Sequence, residues 1–141
     1  MDEDALQLDF VTVDVFTQTK YKGNPLAIVN VPSTVTLTQD QKQAIAREFN
    51  LSETTFLHEQ VDEKLSWKVD IFMTTSELPF AGHPTIGTAC YVLAHAAVAR
   101  NLAERNLDAE FEIKAGTVGL RYDVEKKTAR AAIPHDCKWE L

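Results

Sequence analysis

Residues 76–99 read SELPFAGHPTIGTACYVLAHAAVA, and the fold turns on where the helix in that stretch begins and what covers it. Glu77, Leu78 and Pro79 lead into Phe80-Ala81-Gly82-His83-Pro84-Thr85, after which an alanine-rich apolar run begins. Proline suits the first position of a helix, where its missing N–H costs nothing. The spacing therefore predicts a helix over about 84–99, with Ile86, Ala89, Cys90, Leu93 and Ala97 on one buried face. Its many small residues permit close contact with a sheet.

Upstream, residues 8–16 largely alternate apolar with polar side chains, the pattern of a half-buried strand. Gly23-Asn24-Pro25 is turn chemistry, and a more continuously apolar strand follows over 26–31. Thr38 and Gln41 form the sequence of a capping box. The helix they open is expected to reach Phe49, with Ala44, Ile45, Ala46 and Phe49 inward and Asn50 as its stop. Residues 54–58 and 65–74 read as strands, the second with Trp67, Val69, Ile71 and Met73 on one face. Beyond the alanine-rich helix, 109–114, 118–124 and 128–133 read as short strands, with turns near Gly116 and at Asp123 to Lys127. Many strands with two well-separated helices predict an α+β fold, its helices inside or against a strongly curved sheet.

A chain of 141 residues is expected to form one domain and to bury roughly two-thirds of its unfolded surface. Acidic residues outnumber basic ones by 21 to 14, and the formal charge is -7. Such a surface repels phosphate backbones, and the basic cluster Lys126, Lys127 and Arg130 is short, so no nucleic acid partner is expected. Met1 to Asp4 lack the basic and apolar regions of a secretory signal, and no apolar run reaches the ~20 residues of a membrane span. Cys90 and Cys137 cannot build a disulfide framework, and Cys90 reads as a small buried hydrophobe. A cytoplasmic protein without a membrane partner is the expectation. The Asn50-Leu51-Ser52 sequon then reads as accidental.

A histidine between glycine and proline at a helix start asks for a reason. Gly82 allows close backbone approach or an unusual φ, and the N–H groups around Thr85 to Gly87 are expected to face outward. That end of a helix attracts carboxylate or phosphate. Its positive pole disfavours an imidazolium, so His83 is expected to act as a neutral hydrogen-bonding group. A mere helix cap is the alternative that the residues leave open. His58, His95 and His135 have no such context, and no His or Cys spacing suits zinc, so no metal is expected. In Asn50-Leu51-Ser52-Glu53-Thr54-Thr55-Phe56, Glu53 lies between a helix end and a strand start with Ser52 beside it. It can serve as a base that removes and returns a proton at carbon, or it can be an exposed loop glutamate. Glu48 belongs to a charged helix face, and a structural hydrogen bond suits Glu77.

Four segments together resemble the motifs, in order, of the PhzF-like phenazine-biosynthesis family: Asp14-Val15-Phe16-Thr17, Gly23-Asn24-Pro25-Leu26-Ala27, Asn50 to Thr54, and Glu77 to Thr85. The resemblance runs from about Leu8 to Pro134. It implies a diaminopimelate-epimerase-like fold, two lobes each with a barrel-like sheet around a central helix and the active site between them. It also implies cofactor-independent isomerisation of a small carboxylated substrate. By the same resemblance Glu53 is the proton carrier, while Ser52, Gly82 and His83 hold substrate. Related epimerases place a thiol where this chain has Ala81, which disfavours a two-thiol mechanism. Family members are about twice as long, and their second lobe adds an aspartate and a glycine-rich loop. Residues 1–141 are accordingly expected to be a single N-terminal lobe, with the tail Cys137 to Leu141 unlike a continuation. An isomerase completed by another chain, as a homodimer, is one reading. A truncated, non-catalytic lobe acting as a binding or dimerisation module is the other.

Overall fold

A computed structural model describes residues 7–15, 24–60, 64–99 and 105–132. Phe16, Thr17, Gly23, Ile133, Pro134, His135, Cys137 and the terminal residues, which figured in the sequence reading, lie outside that set.

The described elements are β1 (Phe10–Val15), β2 (Asn24–Val31), α1 (Gln39–Phe49), β3 (Glu53–His58), β4 (Ser66–Phe72), β5 (Glu77–Leu78), α2 (Gly82–Ala99), β6 (Asn106–Ile113), β7 (Gly116–Asp123) and β8 (Thr128–Ala131). They form one sheet in the order β1-β2-β3-β4-β6-β7-β8, with β5 paired to β4. Two pairs are parallel, β2 with β3 and β4 with β6. Parallel neighbours need a long crossover, and here the two helices lie in the connections, α1 in the first and α2 in the second. The other ladders are antiparallel.

The helices take opposite faces. On one side α2 meets β1, β2 and β3 as well as β7 and β8, so strands from both edges curve round it. Val15, Leu26, Ile28, Trp67, Val69, Ile71, Leu93, Phe111 and Tyr122 belong to the core on this side. On the other side α1 covers a smaller core of Val29, Val31, Leu37, Ala46, Phe56 and Phe72. Alternation explains the division: Phe56 and Leu57 are consecutive in β3 and enter different cores. This is the expected α+β half-barrel wrapped on a central helix.

Several local expectations hold atom by atom. Thr38 Oγ1 accepts from the Gln41 N–H at 3.1 Å and Gln41 Oε1 accepts from the Thr38 N–H at 2.8 Å, the reciprocal capping box. Asn50 ends α1 in the left-handed region at φ 55° and donates to the Ala46 carbonyl at 3.2 Å. Gly116 turns the β6–β7 hairpin at φ 125°.

Other expectations need correction. Helix α2 starts at Gly82 rather than Pro84. The first four residues of a helix donate to no carbonyl within it, so proline is tolerated two positions further in. Gly82 does not take a positive φ. On α1 the inward position is Lys42 rather than Ala44, which is exposed. Met73 lies beyond the end of β4 and is exposed, and Cys90 is only half-buried. The two-residue strand β5 has no sequence pattern of its own; Leu78 pairs Ile71 and Glu77 pairs Phe72.

Lys42 enters because a carboxylate waits for it. Asp70 Oδ2 accepts from Lys42 Nζ at 3.0 Å and lies 2.6 Å from His58 Nε2. The Asp70 and Lys42 side chains are only 9% and 11% exposed. Burial pushes the Asp70 carboxyl up, but the hydrogen bonds and charges of His58 and Lys42 outweigh it and hold the group below its ordinary 3.8. A folded-state value below the unfolded one stabilises the fold above the unfolded value, and that contribution is lost as pH falls through the folded one. Asp70→Asn should therefore destabilise the chain by about 3–5 kcal/mol at pH 7, because it strands a buried lysine. In urea unfolding at successive pH values, the gap from wild type should close only below the ordinary carboxylate value of 3.8.

Candidate active site

Helix α1 delivers the first half of the site. Its left-handed stop at Asn50 turns the chain, Leu51 and Ser52 form a bend, and Glu53 opens β3. In the parallel ladder Glu53 stands beside Leu26 of β2. Side chains two apart share a strand face, so Glu53 lies on the same side as Thr55, whose hydroxyl meets Thr88 of α2 at 2.9 Å. The carboxylate is thereby on the α2 side of the sheet.

Helix α2 delivers the second half. Thr85 closes its first turn, with both its N–H (3.3 Å) and its hydroxyl (2.7 Å) donating to the Ala81 carbonyl. This corrects the expectation that the Thr85 N–H faces outward. The N–H of Gly82, at the first helical position, has no acceptor within the helix. His83 follows, still inside the first turn.

The two halves meet. His83 Nδ1 lies 3.2 Å from Glu53 Oε2, with the side chains 14% and 18% exposed. The distance is that of an ion pair, yet Oε2 is buried and makes no hydrogen bond of good geometry among the described residues. A helix start carries a partial positive charge, and α2 has no acidic residue in its own first turn. Glu53 supplies the negative charge from β3. The pair that the sequence placed thirty positions apart thus faces itself across a shared, mostly buried site. Ser52 is exposed beside Glu53, and Gly82 adjoins His83, so all four expected site residues gather at one end of β3 and α2.

Sequence reasoning missed what seats this end of the helix. A Cβ on Gly87 would come within 2.7 Å of Val15 Cγ2 and 2.8 Å of Leu26 Cδ2, so the absence of a side chain there lets α2 approach β1 and β2. The small residues of the helix signalled close contact with a sheet, but not which strands Gly87 would meet.

Other polar groups do not join the site. His58 is committed to Asp70. His95 Nδ1 lies 2.8 Å from the Tyr91 carbonyl, which only accepts, so that nitrogen carries the proton. Glu77 Oε1 accepts from Gln39 Nε2 at 2.8 Å, the structural role expected of it. Burial pushes the Cys90 thiol up despite an opposing contact from the Ala129 backbone, which keeps it protonated and a poor nucleophile. Ala81, just before α2, is buried at 8% exposure. Among the described residues no cluster of His, Cys, Asp and Glu could hold a metal. No helix among them is long and apolar enough to cross a membrane. An open groove of about 450 Å³ lies elsewhere, lined by residues that include Asn30, His58, Glu59, Trp67, Tyr91 and His95. It sits at the opposite end of β3, roughly 17 Å from Glu53 at ~3.3 Å per residue, and is separate from the Glu53–His83 pair.

The arrangement can bind a small anion at the helix start and move a proton at an atom placed against Glu53. The family model described as phenazine biosynthesis-like protein (PhzC-PhzF) matches residues 13–137. The chain is 45% identical over 114 residues to an uncharacterized isomerase of Pasteurella multocida, which covers 81% of this chain and 36% of that protein. It is 41% identical over 88 residues to a trans-2,3-dihydro-3-hydroxyanthranilate isomerase of Pseudomonas chlororaphis, covering 61% of this chain and 30% of that one. A solved structure described as a predicted epimerase from Pseudomonas aeruginosa superposes with a TM-score of 0.65 at 28% identity, covering 82% of this chain and 38% of that one. The chain thus spans 30% to 38% of the length of these relatives.

Gly87→Ala should destabilise the chain by about 1–3 kcal/mol, the range for overfilling a packed site, measured as a lower urea midpoint with an unchanged slope.

Proposed function

This chain belongs to the phenazine biosynthesis-like family, and from that premise we propose that it acts as a cofactor-independent isomerase or epimerase of a small carboxylated substrate. The observation that carries the reading is the contact between Glu53 Oε2 and His83 Nδ1, 3.2 Å apart at the open start of α2. Glu53 acts as the base: its carboxylate removes a proton from a substrate carbon and returns it to another carbon on the same face, giving an isomer, whereas an epimer requires a second proton donor on the opposite face. For an isomerisation on one face a single carboxylate suffices for removal and return, without a thiol pair. The Gly82 N–H, His83 and the positive pole of α2 hold the substrate carboxylate, and Ser52 at the rim orients it. Burial of the pair in a site shielded from water strengthens each of these interactions.

The substrate class follows from the same chemistry: an organic acid with an acidic C–H close to the carboxylate. The name of the Pseudomonas chlororaphis relative supplies a concrete probe, trans-2,3-dihydro-3-hydroxyanthranilate. Incubated with it in deuterated water, the chain should incorporate deuterium at carbon. Glu53→Gln should slow that incorporation by about 100-fold to 10,000-fold, the range for loss of a general base. Equal incorporation by both proteins would exclude Glu53 as the carrier.

We further propose that a second copy of the chain packs against the start of α2 and closes the site there. Sedimentation across the concentrations used for exchange should show dimer. Full exchange by a species that sediments only as monomer would reject the homodimer.

A further inference from the structure

We propose that the hydroxyl pair of Thr55 and Thr88 is the positioning element of the Glu53–His83 site, a buried hydrogen bond that holds β3 and α2 in register. Its catalytic meaning rests on the function proposed above; its geometry does not.

Thr55 Oγ1 and Thr88 Oγ1 lie 2.9 Å apart, and either can donate. Both residues are 0% exposed. Such a pair is not an automatic consequence of a buried threonine, because the adjacent Thr54 hydroxyl is buried without a hydrogen bond among the described residues. Thr55 follows Glu53 by two positions and Thr88 follows His83 by five. Those spacings advance about 6.6 Å along a strand and about 7.5 Å along a helix. The two contacts therefore form successive rungs between elements that run in the same direction here, Glu53 to His83 and then Thr55 to Thr88.

The lower rung is the one able to set the geometry. The Glu53–His83 contact lies at an ion-pair distance without the alignment of a hydrogen bond, whereas Thr55 and Thr88 meet within hydrogen-bond geometry. Apolar packing around it limits approach but permits sliding, since dispersion has little directionality. Gly87 determines how closely α2 lies on Val15 and Leu26, and Leu26 is the ladder neighbour of Glu53. A hydrogen bond with a preferred length and angle determines where along β3 the helix sits. Aliphatic side chains of the same shape would satisfy burial at both positions, so the hydroxyls contribute direction that burial does not require.

The test reads the ring-nitrogen NMR signals of His83 in the 141-residue chain, which report its contact with Glu53. Glu53→Gln provides the reference for a broken contact. Thr55→Val with Thr88→Val removes both hydroxyls together and keeps shape, a change that leaves stability nearly intact because neither partner is stranded. Thr55→Ser with Thr88→Ser keeps both hydroxyls. The valine pair should retain cooperative unfolding and move the His83 signals at least halfway to their Glu53→Gln positions, while the serine pair leaves them in place. In the deuterium assay the valine pair should lower the rate at saturating probe by about tenfold to 100-fold with KM unchanged, as expected of misplaced but intact groups. His83 signals at wild-type positions in a folded valine pair overturn the proposal. So does displacement by the serine pair as far as by Glu53→Gln, and that result is decisive even if the valine pair does not fold. Wild-type chain that incorporates no deuterium yet shows these NMR shifts loses the proposed reaction and keeps the positioning role.

Discussion

A helix as apolar as α2 cannot face water along any long stretch, and covering it organises the rest of the molecule. Strands from both edges of the sheet reach it, and Leu93 and Ala89 on it are fully buried. Area-based estimates put each such leucine at about 1.5–3 kcal/mol, so a helix left uncovered would forfeit a large part of a typical domain's stability. The sheet accordingly curls, and the curl brings β1 and β8, distant in the strand order, against one helix. At Gly87 and at the Thr55–Thr88 pair the helix meets the sheet directly.

Burial of the helix also creates the site. An apolar helix with no acid in its first turn carries an uncompensated positive pole into the core. The remedy comes from another element: Glu53, at the first position of β3, stands beside that pole in contact with His83. The same arrangement that satisfies the helix end brings the candidate residues Glu53 and His83 together.

The opposite face follows a different logic. There α1 packs a smaller core and includes the buried group of Lys42, Asp70 and His58. Residue type misled at this point. A lysine on an amphipathic helix is assigned to solvent, yet Lys42 lies four positions before the buried Ala46 and points the same way. Only the arrival of Asp70 from β4 makes that position tolerable, and no pattern within α1 announces a partner 28 positions on. Strand β5 was illegible for a similar reason: a two-residue strand exists only through the strand it pairs with.

What the chain settles by itself is whatever depends on neighbours a few residues apart. The Thr38–Gln41 box, the Asn50 stop, the Gly116 turn, the alternation of the strands and the apolar run of α2 are short-range matters of φ, hydrogen-bond geometry and period, and they read directly. The resemblance of the motifs around Glu53 and His83 likewise named the candidate site residues. The first residue of α2 slipped by two, because proline marks a helix's first turn without marking which position it occupies. Tertiary structure alone decided that Glu53 and His83 face each other, that Gly87 lies against Val15 and Leu26 and that two threonine hydroxyls meet in the core. Each of these joins elements separated by a helix or more of chain, and the curvature of the sheet, which no local pattern encodes, determines which of them touch.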